Sequence, residues 1–115
     1  MTSRAVQVTA VFLLCISMIG CSTEPPSVRI MNERTTKVNI QLKVGTDNTI
    51  NINDVDGGAA TAYRDITAGL YVVTATIQSE SDAPTASFNA SEDNNYTVVV
   101  VNSTPPTVRV DASGK

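Results

Sequence analysis

Lys37-Val38-Asn39-Ile40-Gln41-Leu42-Lys43-Val44 sets the fold class of this chain. Val38, Ile40, Leu42 and Val44 fall on one side of an extended backbone, and Asn39, Gln41 and Lys43 on the other. A period of two is that of a strand buried on one face and wet on the other. Downstream, Thr49 to Val55 repeats the pattern with Ile50 and Ile52. Gly45-Thr46-Asp47-Asn48 between them reads as a hairpin turn.

The same period runs outward in both directions. Val28 to Asn32 alternates Val28 and Ile30 against Arg29 and Met31. After the turn at Gly57-Gly58, Ala60 to Ile66 reads as a short strand. Leu70 to Glu80 is rich in β-branched and aromatic residues and reads as a long one. Ser81 to Thr85 breaks it, and Ala86 to Ser91 reads as another short strand. Asn95 to Asn102 is apolar on both faces, as expected of a strand covered on both sides. Its Thr-Val-Val-Val-Val run would be an aggregation hazard if exposed, so a central position is expected. Thr107 to Asp111 closes the set. Seven or eight short strands, with turn signals about every 8–12 residues and no helical period, predict an all-β protein. The expected architecture is a single small β-sandwich of antiparallel strands, immunoglobulin-like or transthyretin-like, and uneven strand lengths argue against a barrel. Val38, Ile40 and Leu42 are expected to face Tyr71, Val73 and Ile77 together with Val98 and Val100.

The first 21 residues read differently. Arg4 supplies a short positive region, Val8 to Ile19 an apolar core, and Met18-Ile19-Gly20-Cys21 its end. The apolar run is shorter than the roughly 20 residues that span a bilayer. An uncleaved anchor and an ordinary secretory signal are the alternatives, but the small-x-small site of the latter is poorly formed. The segment resembles the lipobox of bacterial lipoproteins, with Met18 where Leu is commonest. The resemblance implies a signal peptide over 1–20, a lipidated Cys21 and residence in the cell envelope. Ser22 is not the Asp associated with inner-membrane retention, which points to the outer membrane where the host has one. Residues 21–27 read as a tether, because Pro25-Pro26 favours an extended conformation. Six residues beyond Cys21 reach at most ~20 Å at ~3.3–3.6 Å each. The domain is expected over 28–111, with 112–115 a polar tail that frays.

Removing residues 1–20 from 115 leaves 95, and losing Arg4 takes the net charge from −3 to −4. That is one small domain with a mildly acidic surface, unsuited to nucleic acid. The chain has two cysteines and no histidine. Cys15 would leave with the signal and Cys21 would carry lipid, so the domain would lack both disulfides and thiolate ligands. Ser–His and Cys–His catalysis and nitrogen- or sulfur-ligated metals are then excluded within the chain. A carboxylate pair has little material from which to build a cleft. The expectation is a non-enzyme without a cofactor.

Asp54 and Asp56, before Gly57-Gly58, are weak candidates for a calcium loop. The EF-hand spacing fails, because with Gly57 as its glycine Ile52 takes the first ligand position and Tyr63 the closing Glu position. The simpler reading is a solvated turn, and Glu80-Ser81-Asp82 has the same standing. The sequons at Asn89, Asn95 and Asn102 read as chance matches.

Ala62-Tyr63-Arg64-Asp65-Ile66-Thr67-Ala68-Gly69-Leu70-Tyr71-Val72-Val73 resembles the Y-x-x-(L/I)-x-A-G-x-Y-x-V signature of the bacterial and archaeal domain of unknown function DUF4397. Val28 to Asn32, Val38 to Val44, Asn95 to Val101 and Val108 to Asp111 resemble its other strands in order. Asn39 and Gln41 depart from the family pattern, and Glu33-Arg34-Thr35-Thr36 replaces its D-A-P. The resemblance covers about residues 28–111 and implies an exported β-sandwich, often a lipoprotein. Independently of it, a Gly opening a strand permits positive φ, and the following Tyr can bury its ring while its hydroxyl finds a backbone partner. Tyr63 and Tyr71 are therefore expected in the core or at a corner.

The function expected is a structural or protein-interaction module that docks an envelope partner, for example at an exposed sheet edge. The alternative is a module binding a glycan or cell-wall polymer. An aromatic ring exposed on a flat face would discriminate between them.

Overall fold

The computed structural model describes residues 22–115. Eight strands follow in order: β1 (Ser27–Asn32), β2 (Val38–Val44), β3 (Asn48–Val55), β4 (Arg64–Asp65), β5 (Gly69–Ile77), β6 (Thr85–Ala90), β7 (Asn94–Val101) and β8 (Thr107–Gly114). There is no helix among the described residues. Two four-stranded sheets, ordered β4-β1-β7-β8 and β3-β2-β5-β6, form a sandwich. Their inward rows make one core of Val28 and Ile30, Val38, Ile40 and Leu42, Tyr71 and Val73, and Val98 and Val100. At about 25 cal/mol per Å² of apolar surface removed from water, these rows are the main favourable term for the fold.

The register refines the expected packing. Val38 pairs with Ile77, Leu42 with Val73 and Val44 with Tyr71, so β2 and β5 lie side by side in one sheet. Both face the β1 and β7 rows; they do not face each other. β1 and β7 pair in parallel, Ser27 with Asn95 through Asn32 with Val100, whereas every other pairing is antiparallel. Such a pair needs a crossover, and here all of β2 to β6 lies between its two strands. β7 is central, as its composition implies: Val98 and Val100 face the core, while Val99 on the other side is buried beside Met31 and Arg109.

Three boundaries move. The long strand expected over Leu70 to Glu80 ends at Ile77, leaving Gln78 to Glu80 outside it. Ala60 to Ile66 is not a continuous strand; it contributes a bridge from Ala60 to Met31 and the two residues of β4. Between them the ladder is interrupted, because the Ile30 N–H donates to the Thr61 hydroxyl at 3.0 Å. The end of the chain does not fray. β8 continues to Gly114, which pairs with Asn94, and the Lys115 N–H donates to the Asp93 carbonyl at 3.0 Å.

One polar side chain ties an end of the sandwich together. Asn32 is fully buried. Its amide nitrogen donates to the carbonyls of Thr36, Val55 and Asp56, and its side-chain oxygen accepts from the Arg34 N–H. The β1–β2 and β3–β4 connections are thereby held against one another. Gly57 completes the contact: a Cβ there would lie 2.5 Å from the Thr35 carbonyl carbon. Arg34 extends the tie, donating to the carbonyls of Val101 and Ser103 and pairing with Glu80 at 3.1 Å.

Candidate functional site

Cys21 lies outside the described residues, as does all of 1–20. The segment after it is not a free tether. The Glu24 N–H donates to the Asp93 carboxylate at 2.9 Å, and the Asp93 N–H returns a bond to the Glu24 carbonyl at 2.9 Å. Ile66 N–H bonds the Pro26 carbonyl, and Pro26 is buried. Asp93 has φ 64°, a left-handed conformation that Asp tolerates better than most residues. Lys115 reaches Glu24 at 3.7 Å. The residues read as a spacer are thus strapped to the β6–β7 turn and the end of β8.

Asp54 lies near the end of β3 and Asp56 in the turn after it. The Asp54 N–H donates to the Asn39 side-chain oxygen at 2.7 Å, at a bulge where Asp54 has φ 58°. Asp56 faces Lys37 at 3.8 Å, both exposed. No group of three or more His, Cys, Asp or Glu able to hold a metal occurs among the described residues.

The rings separate into two kinds. Tyr71 is fully buried, and its hydroxyl donates to the Thr67 carbonyl at 2.8 Å, four residues upstream. Gly69, at φ 151° with Val44 3.1 Å from where a Cβ would sit, brings the strand into that corner. Tyr71, Phe88 and Tyr96 form a stack across both sheets, with centroids 5.4 and 5.0 Å apart. Tyr63 departs from expectation: it is 43% exposed on the outer side of the first sheet. The guanidinium of Arg29 stands 4.8 Å from its ring centroid, so one face of the ring is already occupied.

Two surfaces remain. The outer side of the second sheet carries a shallow groove of ≈ 160 Å³ lined by Asn39, Gln41, Asn51, Asn53, Thr74 and Thr76, neutral amides and hydroxyls, with a neighbouring ≈ 270 Å³ hollow beside Lys37 and Asp54. The free side of β3 is the other. β3 pairs only with β2, and opposite it the first sheet offers only the two residues of β4. Ile50 and Ile52 point inward yet are only half-buried. At the end of β3 a ≈ 490 Å³ cleft opens between the sheets, lined by Val44, Asp47, Ile50, Asp65, Ile66 and Tyr71. On the other side of the sandwich β6 and β8 approach one another, so that flank is narrower.

No family model matches the chain, and no curated protein matches it at significant similarity.

Proposed function

We propose that this chain is a lipid-anchored envelope β-sandwich serving as a structural or protein-interaction module, with lipid on Cys21 and a partner on the β3 edge. β3 carries the reading. It is an eight-residue strand with no strand on its outer side among the described residues, and its two inward isoleucines are incompletely covered. A partner strand added there would satisfy the ladder and roof Ile50 and Ile52, the usual logic of strand addition. The lipobox-like segment supports export and anchoring, and with residues 1–20 removed the absence of His and of any thiol but Cys21 supports a non-catalytic role. Ser22 after Cys21 favours the outer membrane where one exists.

A photoreactive residue at Asn51, in the full chain in its own membranes, is expected to yield a discrete protein adduct that the same residue at Ser113 does not. Equal, diffuse labelling from both positions counts against the edge. Palmitate incorporation is expected in the parent and lost in Cys21→Ala; labelling that persists refutes the anchor.

The groove of neutral amides and hydroxyls supports the alternative, a glycan or cell-wall-polymer module, because such groups donate to and accept from sugar hydroxyls. Sedimentation of the chain with purified cell wall, abolished by Thr76→Arg, would move the conclusion there. The one exposed ring favours protein over glycan, since Arg29 already occupies a face of Tyr63, and Tyr with Arg is the pairing enriched at protein interfaces.

A further inference from the structure

The β3 edge has a property that an ordinary edge strand lacks. Over Asn48–Asn53 it carries no charge and no proline, although natural edges are usually blunted by Lys, Pro or a bulge. Its bulge comes only at the far end, where β2 slips register between Val38 and Ile40. The exposed edge strand β8 is blunted, bearing Arg109 and Asp111.

The edge is also nearly the same read backwards. Thr49-Ile50-Asn51-Ile52-Asn53 reversed is Asn-Ile-Asn-Ile-Thr. An antiparallel copy centred on Asn51 would place Asn51 opposite Asn51, Ile50 opposite Ile52, and Thr49 opposite Asn53. Partners directly across an antiparallel pair lie on the same face. The isoleucines of both copies would therefore extend one inward apolar row over the half-covered side of each core, and the amides would form a row on the outer face. A strand that must match itself about a two-fold axis has to be self-complementary in this way.

We infer that the occupant of the β3 edge is a second copy of this chain, paired antiparallel through Thr49–Asn53 about a two-fold axis at Asn51, forming one continuous eight-stranded sheet. The inference rests on the β3 edge being the docking surface. Only the ends oppose the pairing: Asp54 of one copy would lie near Asp47 of the other, a repulsion that salt screens. The strand-to-strand contact is short compared with the interface a stable dimer usually needs. Pairing therefore depends on confinement, and lipid anchoring supplies it by raising the effective concentration of one copy around another.

The test uses the full chain in its membranes, with Cys21 acylated. Asn51→Cys introduces a thiol that would face its own copy across the two-fold axis, at a spacing that cross-strand disulfides accept. Mild oxidation is expected to give a dimer several-fold above both the parent chain and Ser113→Cys. Thr49→Cys or Asn53→Cys alone is expected to give little, whereas the two co-expressed are expected to cross-link with one another. Adding Ile50→Lys to both co-expressed chains is expected to abolish that product. The inference is overturned if Asn51→Cys cross-links no better than Ser113→Cys, or if Thr49→Cys and Asn53→Cys self-link as well as they cross-link. A photo-adduct from Asn51 with the mass of another protein overturns the second copy but leaves the edge as the docking surface. The absence of any adduct removes both.

Discussion

Asn32 occupies an inward position on β1 where alternation after Val28 and Ile30 asks for a hydrophobe. It is tolerated because each of its side-chain polar atoms is bonded, the two amide hydrogens being shared among three carbonyls and the oxygen accepting once. A buried group so satisfied costs little, whereas its removal leaves several partners unpaired. Asn32→Leu, close in volume, is expected to cost roughly 3 kcal/mol, read as a lowered urea midpoint at unchanged slope. A loss no larger than that of Asn51→Ala would show that the bonds do not matter. The tyrosines make a second contrast. Tyr71→Phe removes a buried hydroxyl bond and is expected to cost about 1 kcal/mol; Tyr63→Phe, whose hydroxyl lies 3.4 Å from Thr97 in the open, is expected to change stability by less than about 0.5 kcal/mol. The sequence showed that Gly69-Leu70-Tyr71 makes a corner, because the glycine and the ring act locally. It did not show that Tyr63 lies outside, because that depends on Arg29, 34 residues earlier.

At the scale of elements, period-two alternation carried most of the strands, and the exceptions have causes. Ala60 to Ile66 has strand composition, but the Thr61 hydroxyl takes the Ile30 amide, so backbone pairing survives only at its ends. Ala112 to Gly114 looks polar and loose, yet β7 extends far enough to pair with it. Beyond the central place of β7, strand order was not legible. Which strand lies at an edge, and that β1 joins β7 in parallel, is set by the crossover rather than by any local pattern. For the same reason the isoleucines of β3 were readable and its open side was not. β7, flanked by β1 and β8 and buried on both faces at Val98, Val99 and Val100, is expected to hold the slowest-exchanging amides of the chain, since central strands open only with global unfolding. Hydrogen exchange that finds Val98 to Val100 faster than the β2 amides would contradict the sheet order. Val98→Ala is expected to cost about 2 kcal/mol by the lost burial and the cavity left behind.

For the molecule as a whole, the strap at the start of the domain decides how it is held. Were residues 22–27 free, the sandwich could tumble on its anchor. With Glu24 bonded twice to Asp93 and the Pro26 carbonyl bonded to Ile66, only Cys21 to Thr23 can act as a spacer, a reach of ~10 Å at ~3.3–3.6 Å per residue. Under the proposed lipidation, the attachment lies beside the β6–β7 turn and the end of β8, away from the Asn32 end; in the antiparallel pair the two attachments fall at opposite ends, so its strands lie along the bilayer. The strap depends on Asp93 in two ways, through its carboxylate and through its left-handed backbone. Asp93→Gly separates them, because Gly adopts that conformation freely but cannot accept from Glu24. In the parent chain the Glu24 amide is expected to exchange far more slowly than that of Ser22. In Asp93→Gly the Glu24 amide is expected to approach the Ser22 rate, while the β7 amides stay protected because the fold is intact. Equal exchange at Glu24 and Ser22 in the parent would mean that the segment is loose after all, and that the sandwich has no fixed attitude on its anchor.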